Sequence, residues 1–147
     1  MKNLLILILL LISIAVTNSY SSMSDKQKGK LIVKFDGLKN NDGFVKIALC
    51  NSADNYKIDD KPFIGKNIKV EDKSVVIEFS DLPFGEYAVK AFHDENGNDD
   101  LDTNFLGIPK EEYGFSNNAR AMFGPPSWDS AKFKFTNENQ IIEITLK

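Results

Sequence analysis

The stretch Val75-Val-Ile-Glu-Phe-Ser-Asp-Leu-Pro-Phe-Gly-Glu-Tyr-Ala-Val-Lys-Ala91 decides the fold. Val75, Ile77 and Phe79 fall on one side of an extended chain, with Glu78 opposite. Pro83 and Gly85 signal a reversal, after which Tyr87, Val89 and Ala91 repeat the alternation against Lys90. A period of two marks a strand with one buried and one wet face. The stretch therefore reads as two strands joined by a turn.

The same pattern spreads in both directions. Upstream, Leu31, Val33 and Phe35 alternate with Lys34, and Val45, Ile47 and Leu49 follow the turn Asn41-Asp42-Gly43. Ile68 to Val70 adds a short edge strand. Downstream, Ala131, Phe133 and Phe135 alternate with Lys132 and Lys134, and Ile142, Ile144 and Leu146 alternate with Glu143 and Thr145. Short strands punctuated by Gly, Pro and Asn, with no long helix, predict an all-β chain. The expected architecture is an antiparallel β-sandwich of about seven strands in one domain, residues 23–147.

Residues 101–129 interrupt this rhythm as one long irregular loop. Loops of that length are uncommon in compact domains and are usually functional or disordered. This one carries Phe105, Leu106, Ile108, Tyr113, Phe115, Met122, Phe123 and Trp128. So much apolar surface predicts a flap packed over one edge of the sandwich, with a helical turn around Pro109 to Tyr113.

The N-terminus has the layout of a secretory signal peptide, residues 1–22. Lys2 gives a positive start, Leu4 to Val16 an apolar run, and Ser19 to Ser22 the small residues of a cleavage site. The apolar run is shorter than the roughly 20 residues that span a bilayer. Secretion or residence in the periplasm is expected, with no membrane span after cleavage. The whole chain has 18 Lys and Arg against 21 Asp and Glu. Loss of Lys2 would bring the mature charge to about −4, which offers nucleic acid no general attraction. Cys50 is the sole cysteine, so an intrachain disulfide is excluded. It is expected to serve as a small buried apolar group.

Asp94-Glu-Asn-Gly-Asn-Asp-Asp-Leu-Asp-Thr-Asn104 concentrates oxygen-bearing side chains around Gly97. Calcium is held by roughly six to eight such oxygens. Asp94, Asn96 and Asn98 match the first three ligand positions of an EF-hand. Asp99 stands where that loop needs Gly, and Phe105 where it needs a bidentate Glu, so this is not an EF-hand. Two readings stay open. One is a different calcium loop with Asp94, Asn96, Asn98, Asp100 and Asp102 as ligands. The other is a hairpin tip in which Asp and Asn side chains bond to nearby main-chain N–H groups.

Catalytic signals are sparse. His93 is the single histidine, so a multi-histidine metal site within one chain is excluded. Ser116 lacks the second Gly of a nucleophile elbow, Cys50 with His93 carries no local signature, and Glu111-Glu112 reads as a solvated turn. Binding has better residues. Asn117, Asn118 and Arg120 offer amide and guanidinium groups beside Tyr113, Phe115 and Trp128, a set suited to a sugar or an extended peptide.

Three phrases carry a family likeness: Phe79 to Val89, then Phe92 to Asn98 with Leu101 to Asn104, then Gly107 to Asn118 with Gly124-Pro-Pro126. From about Leu31 to Leu146 the chain resembles the bacterial exported family designated domain of unknown function 2141. Leu82-Pro-Phe-Gly-Glu-Tyr87 is also similar to a phrase of transthyretin-like and Cna-B-like sandwiches, where it leads into a core strand with an inward Tyr. The resemblance implies an immunoglobulin-like or prealbumin-like (transthyretin-like) secreted sandwich and no established activity. The family pattern often has Gly after the second Asn of the acidic loop, where this chain has Asp99. The expected function is a non-catalytic binding or structural module of the cell envelope. Its partner would be an envelope protein, peptide or carbohydrate. The alternative is a hydrolase acting on cell-envelope polymers.

Overall fold

The computed structural model describes residues 27–58 and 61–147. The expected signal peptide lies outside the described residues. Eight strands among them form two sheets: β1 (Lys28–Asp36), β2 (Phe44–Cys50), β3 (Ile64–Lys69), β4 (Val75–Pro83), β5 (Gly85–Asp94), β6 (Tyr113–Phe115), β7 (Phe133–Phe135) and β8 (Asn139–Thr145). One sheet has the order β4-β1-β8; the other runs β3-β2-β5-β6, with β7 also paired to β5.

The alternating residues do what their spacing requires. Leu31, Val33 and Phe35 of β1 pair with Phe79, Ile77 and Val75 of β4. Val45, Ile47 and Leu49 of β2 lie opposite His93, Ala91 and Val89 of β5. These inward residues of both sheets, with Phe135, Ile144 and Leu146, meet in one apolar core. Each large side chain buried there contributes about 1.5–3 kcal/mol. The all-β sandwich is thus the structure of this chain. One pairing departs from the antiparallel expectation: β8 runs parallel to β1, with Val33 beside Ile142 and Phe35 beside Ile144. Alternation fixes which face is buried but says nothing about the direction of the neighbouring strand.

Tyr87 marks the β4–β5 corner. Its ring is in the core, and its hydroxyl donates to the Pro83 carbonyl at 2.7 Å. Burial pushes its pKa above the ordinary tyrosine value.

β5 is covered on its other face too. Ala88 packs there with Cys50, Tyr56, Phe115 and Ala131 in a second, smaller cluster. Cys50 is fully buried in it, as its role as a small apolar group requires. Tyr56 sits on the short helix α1 (Ala53–Lys57), capped by Ser52 and Asn55. Trp128 opens the one-turn helix α2 (Trp128–Ala131) and stands edge-on to Tyr56, with ring centroids 5.8 Å apart.

The long connection is more regular than its sequence. β6 pairs antiparallel with β5, Ala91 opposite Gly114. Its Tyr113 also exchanges main-chain hydrogen bonds with Lys147, just after β8. A three-residue strand with a central Gly is too short for any periodicity to reveal. The helical turn expected at Pro109 to Tyr113 does not form. Thr103 instead pairs with Pro109, and the Lys110 amide donates to the Asp102 carbonyl at 2.8 Å. Nor does Ala131 belong to the strand of Phe133. Ser127 caps the helix that ends at Ala131, and β7 begins after it.

The flap is only half folded down. Tyr113, Phe115 and Trp128 pack into or against the second cluster. Phe105, Leu106, Ile108, Met122 and Phe123 project into solvent, Phe105 at 95% exposure and Met122 and Phe123 at 88%. The Asn104 side chain explains the first three. It accepts the amides of Leu106 and Ile108 and closes a tight turn that stands on its own hydrogen bonds.

Candidate functional site

At the end of β5 the chain runs straight from the core into the acidic turn. Two consecutive side chains there, His93 and Asp94, are fully buried. Buried charge is costly unless paired and hydrogen-bonded, and Asp94 is both. One oxygen accepts the amides of Gly97 and Asn98 at 2.8 and 3.1 Å, and the other accepts the amide of Asp99 at 3.0 Å. Lys46, on the same outward face of β2, lies 3.8 Å from Asp94 and also pairs with Asp99.

A second buried carboxylate grips the turn from the returning chain. Glu111 accepts the Glu95 amide at 3.0 Å on one oxygen and the Asp102 amide at 2.9 Å on the other. Reading Glu111 as part of a solvated turn is therefore corrected. Its side chain replaces a missing ladder between the two arms of the loop. Adjacent acids in Lys-Glu-Glu look alike in sequence, and only the fold turns one inward. Lys46 was missed for a similar reason, because it is an ordinary outward residue until β2 is laid beside β5.

The five candidate metal ligands divide. Asp94 is buried and occupied as described. The Asn96 and Asn98 amide oxygens accept the amides of Asn98 and Asp100. Both Asp102 oxygens accept from the side chains of Asn96 and Asn98. Asp100 is exposed. A calcium ion here would compete with these bonds for its oxygens.

The six candidate ligand-binding residues lie on and beside β6. Asn117 sits at φ 59° and donates to the carbonyls of Ser130, Ala131 and Lys132. Asn118 accepts the Thr145 amide at 2.9 Å. Arg120 stacks 5.9 Å over the Tyr113 ring and reaches the Thr145 carbonyl. Phe115 is buried, and Tyr113 meets it edge-on at 6.0 Å. Trp128 packs on Tyr56. The structure gathers all six, chiefly as fasteners holding the end of β6 to α2 and β8.

Groups suited to nucleophilic chemistry are committed elsewhere. The buried Ser116 hydroxyl donates to the Ala131 carbonyl at 2.6 Å and accepts the Val89 amide at 2.9 Å. The Cys50 thiol donates to the Asn55 carbonyl at 3.6 Å.

Fold and site together define a two-sheet β-sandwich with a carboxylate-braced hairpin loop. The bacterial family described as "Uncharacterized protein conserved in bacteria (DUF2141)" matches residues 33–143, and this chain belongs to it. No curated protein and no solved structure matches the chain.

Proposed function

We propose that this protein is an exported, non-catalytic recognition module of the bacterial cell envelope. It binds an envelope protein or peptide through the long connection that follows β5. The observation that carries this reading is the exposure of Phe105, Leu106, Ile108, Met122 and Phe123 along one connection, with Phe105, Met122 and Phe123 the most exposed of the large apolar side chains described. Exposed apolar clusters commonly mark interaction sites. The acidic loop that leads to Phe105 is braced in advance by Asp94 and Glu111, which lowers the ordering cost of binding. The export half of the proposal rests on the N-terminal sequence pattern alone.

An immunoglobulin-like frame belongs to the same proposal. β1 pairs with β4 in one sheet while β2 pairs with β5 in the other, as the central strands of such sandwiches do. Tyr87 bonding back to Pro83 at the head of β5 resembles the tyrosine corner of that fold. Carbohydrate is the lesser ligand choice, since Asn117, Asn118 and Arg120 already bond to main chain. Calcium is dispensable in this reading, because the acidic turn has its own acceptors for its N–H groups. Hydrolysis of envelope polymers has weaker support, given the commitments of Ser116 and Glu111.

Site-specific photo-crosslinking in cells tests the proposal. A photoreactive phenylalanine at position 105 or 123 should give a discrete adduct that the same probe at Val76 or Ile141, exposed on the other sheet, does not. Identical adducts, or none, at all four positions would remove the recognition surface.

A further inference from the structure

We propose that His93, Glu112 and Glu95 form a site for one borderline dication of the zinc class, at the base of the acidic turn. His93 is the anchor. Its side chain is fully buried, and its Nε2 lies 2.7 Å from the Asp42 carbonyl oxygen. A carbonyl only accepts, so Nε2 carries a proton, and in that tautomer of the neutral ring Nδ1 carries the lone pair. One ring nitrogen donating to a carbonyl, with the other turned to the ligand, is how metal-binding histidines are held.

Nδ1 faces Glu112 Oε2 at 3.3 Å. With a neutral ring, Nδ1 turns its lone pair to the side where Glu112 presents a carboxylate oxygen, so one cation shared by the two would satisfy both. Two ligands of tetrahedral zinc, each about 2.0–2.1 Å from the metal, stand about 3.3 Å apart. Glu95 supplies a third donor, and the three ligand atoms lie within 4.8 Å of one another. Its Oε2 is held by the Asn40 amide at 2.8 Å, while Oε1 faces the exposed Lys39 ammonium at 3.6 Å. A dication would displace that ammonium. One nitrogen and two carboxylate oxygens suit zinc or cobalt better than calcium, which takes oxygens throughout. Glu95 and Glu112 are partly open to water, which leaves a fourth position for solvent.

The inference stands apart from the recognition surface, because the residues at 105 and 123 play no part in it. The test uses the chain expressed at full length without a histidine tag, stripped with chelator and dialysed. Titration with zinc chloride in a calorimeter should show one site, and cobalt chloride should give the intense visible bands of a tetrahedral centre. Glu112→Gln and Glu95→Gln should each weaken zinc binding at least tenfold while leaving the metal-free melting temperature near that of the parent. His93→Gln should abolish binding. Should it fail to fold, nitrogen NMR of the one histidine reads the same answer: zinc should shift Nδ1 and leave Nε2 protonated. No zinc heat, equal affinity in the parent and Glu112→Gln, or a ring protonated on both nitrogens in excess zinc would overturn the site. The last result would make the contact a plain imidazolium–carboxylate pair.

Discussion

Glu111 accepts the amide of Asp102 across the neck of the acidic loop, at 2.9 Å, from a side chain almost wholly out of water. Its second oxygen takes the Glu95 amide. Replacing Glu111 with Gln puts an NH2 group against one of these donors and strands it. The expected loss is about 2 kcal/mol in urea denaturation. Faster hydrogen exchange at the amides of residues 95 and 102 should accompany it, and unchanged exchange there would contradict the bracing role.

Asp94 should matter more. Asp94→Ala removes the acceptor of three main-chain N–H groups and the partner of Lys46. A cost of about 3 kcal/mol is expected, with the amides of Gly97, Asn98 and Asp99 losing exchange protection together. Asp94→Asn keeps one acceptor oxygen and should fall between the two.

Gly97 within this loop and Gly43, which presses on it from the turn before β2, should respond in different degrees. Gly43 has φ +61°, and a Cβ there would meet the Asp94 carbonyl oxygen at 1.9 Å. Gly97 has φ +71° with nothing within 4 Å. Gly43→Ala should cost at least about 3 kcal/mol, since a clash with backbone adds to the dihedral strain. Gly97→Ala should cost only about 1 kcal/mol. Equal losses would mean that the turn at residue 43 does not press on Asp94.

Calcium at millimolar concentration should move the melting temperature by less than about 1 °C, because the loop's oxygens are already engaged and a weak ligand adds little stability. A rise of several degrees, absent in Asp102→Asn, would restore calcium to the account of this loop. Neither outcome bears on zinc at His93.

Alkaline pH should unfold the protein partly through tyrosine. Burial, and to a lesser degree the nearby Cys50, push the Tyr56 hydroxyl from 10.0 to about 12, and the hydroxyl donates to the Pro126 carbonyl at 3.0 Å. The folded state holds this proton more tightly, so the contribution is complete below pH 10 and disappears as pH climbs towards about 12. Tyr56→Phe should show a shallower decline of unfolding free energy across that window. The same slope in both proteins would refute the assignment.

Much of the frame was legible before any coordinates. Alternation in β1, β2, β4, β5 and β8 placed the core side chains correctly, because a strand's period is local geometry. The turn at Pro83 and Gly85 and the inward Tyr87 followed from local chemistry too. β6 was not legible, since Tyr113-Gly114-Phe115 holds no period and exists only because β5 and Lys147 offer it partners. The boundary at Ala131 is hidden from alternation, because Ala131, Phe133 and Phe135 keep a period of two although Ser127 caps a helical turn that ends at Ala131. Phe105 and Phe123 were assigned to a packed flap on hydrophobicity alone, which cannot tell whether a surface lies within reach.

The candidate site divides along the same line. Its acidic composition and its position after a strand were plain in the sequence, as was the capacity of Asp and Asn to cap their own backbone. Which carboxylate is buried, which lysine answers it and which glutamate faces the one histidine were decided by the tertiary structure. Those facts depend on residues from β2, from the turn at residue 42 and from the chain before β6 arriving at one end of the sandwich. Local sequence sets the period and the turns, whereas burial and pairing are properties of neighbours that only folding brings together.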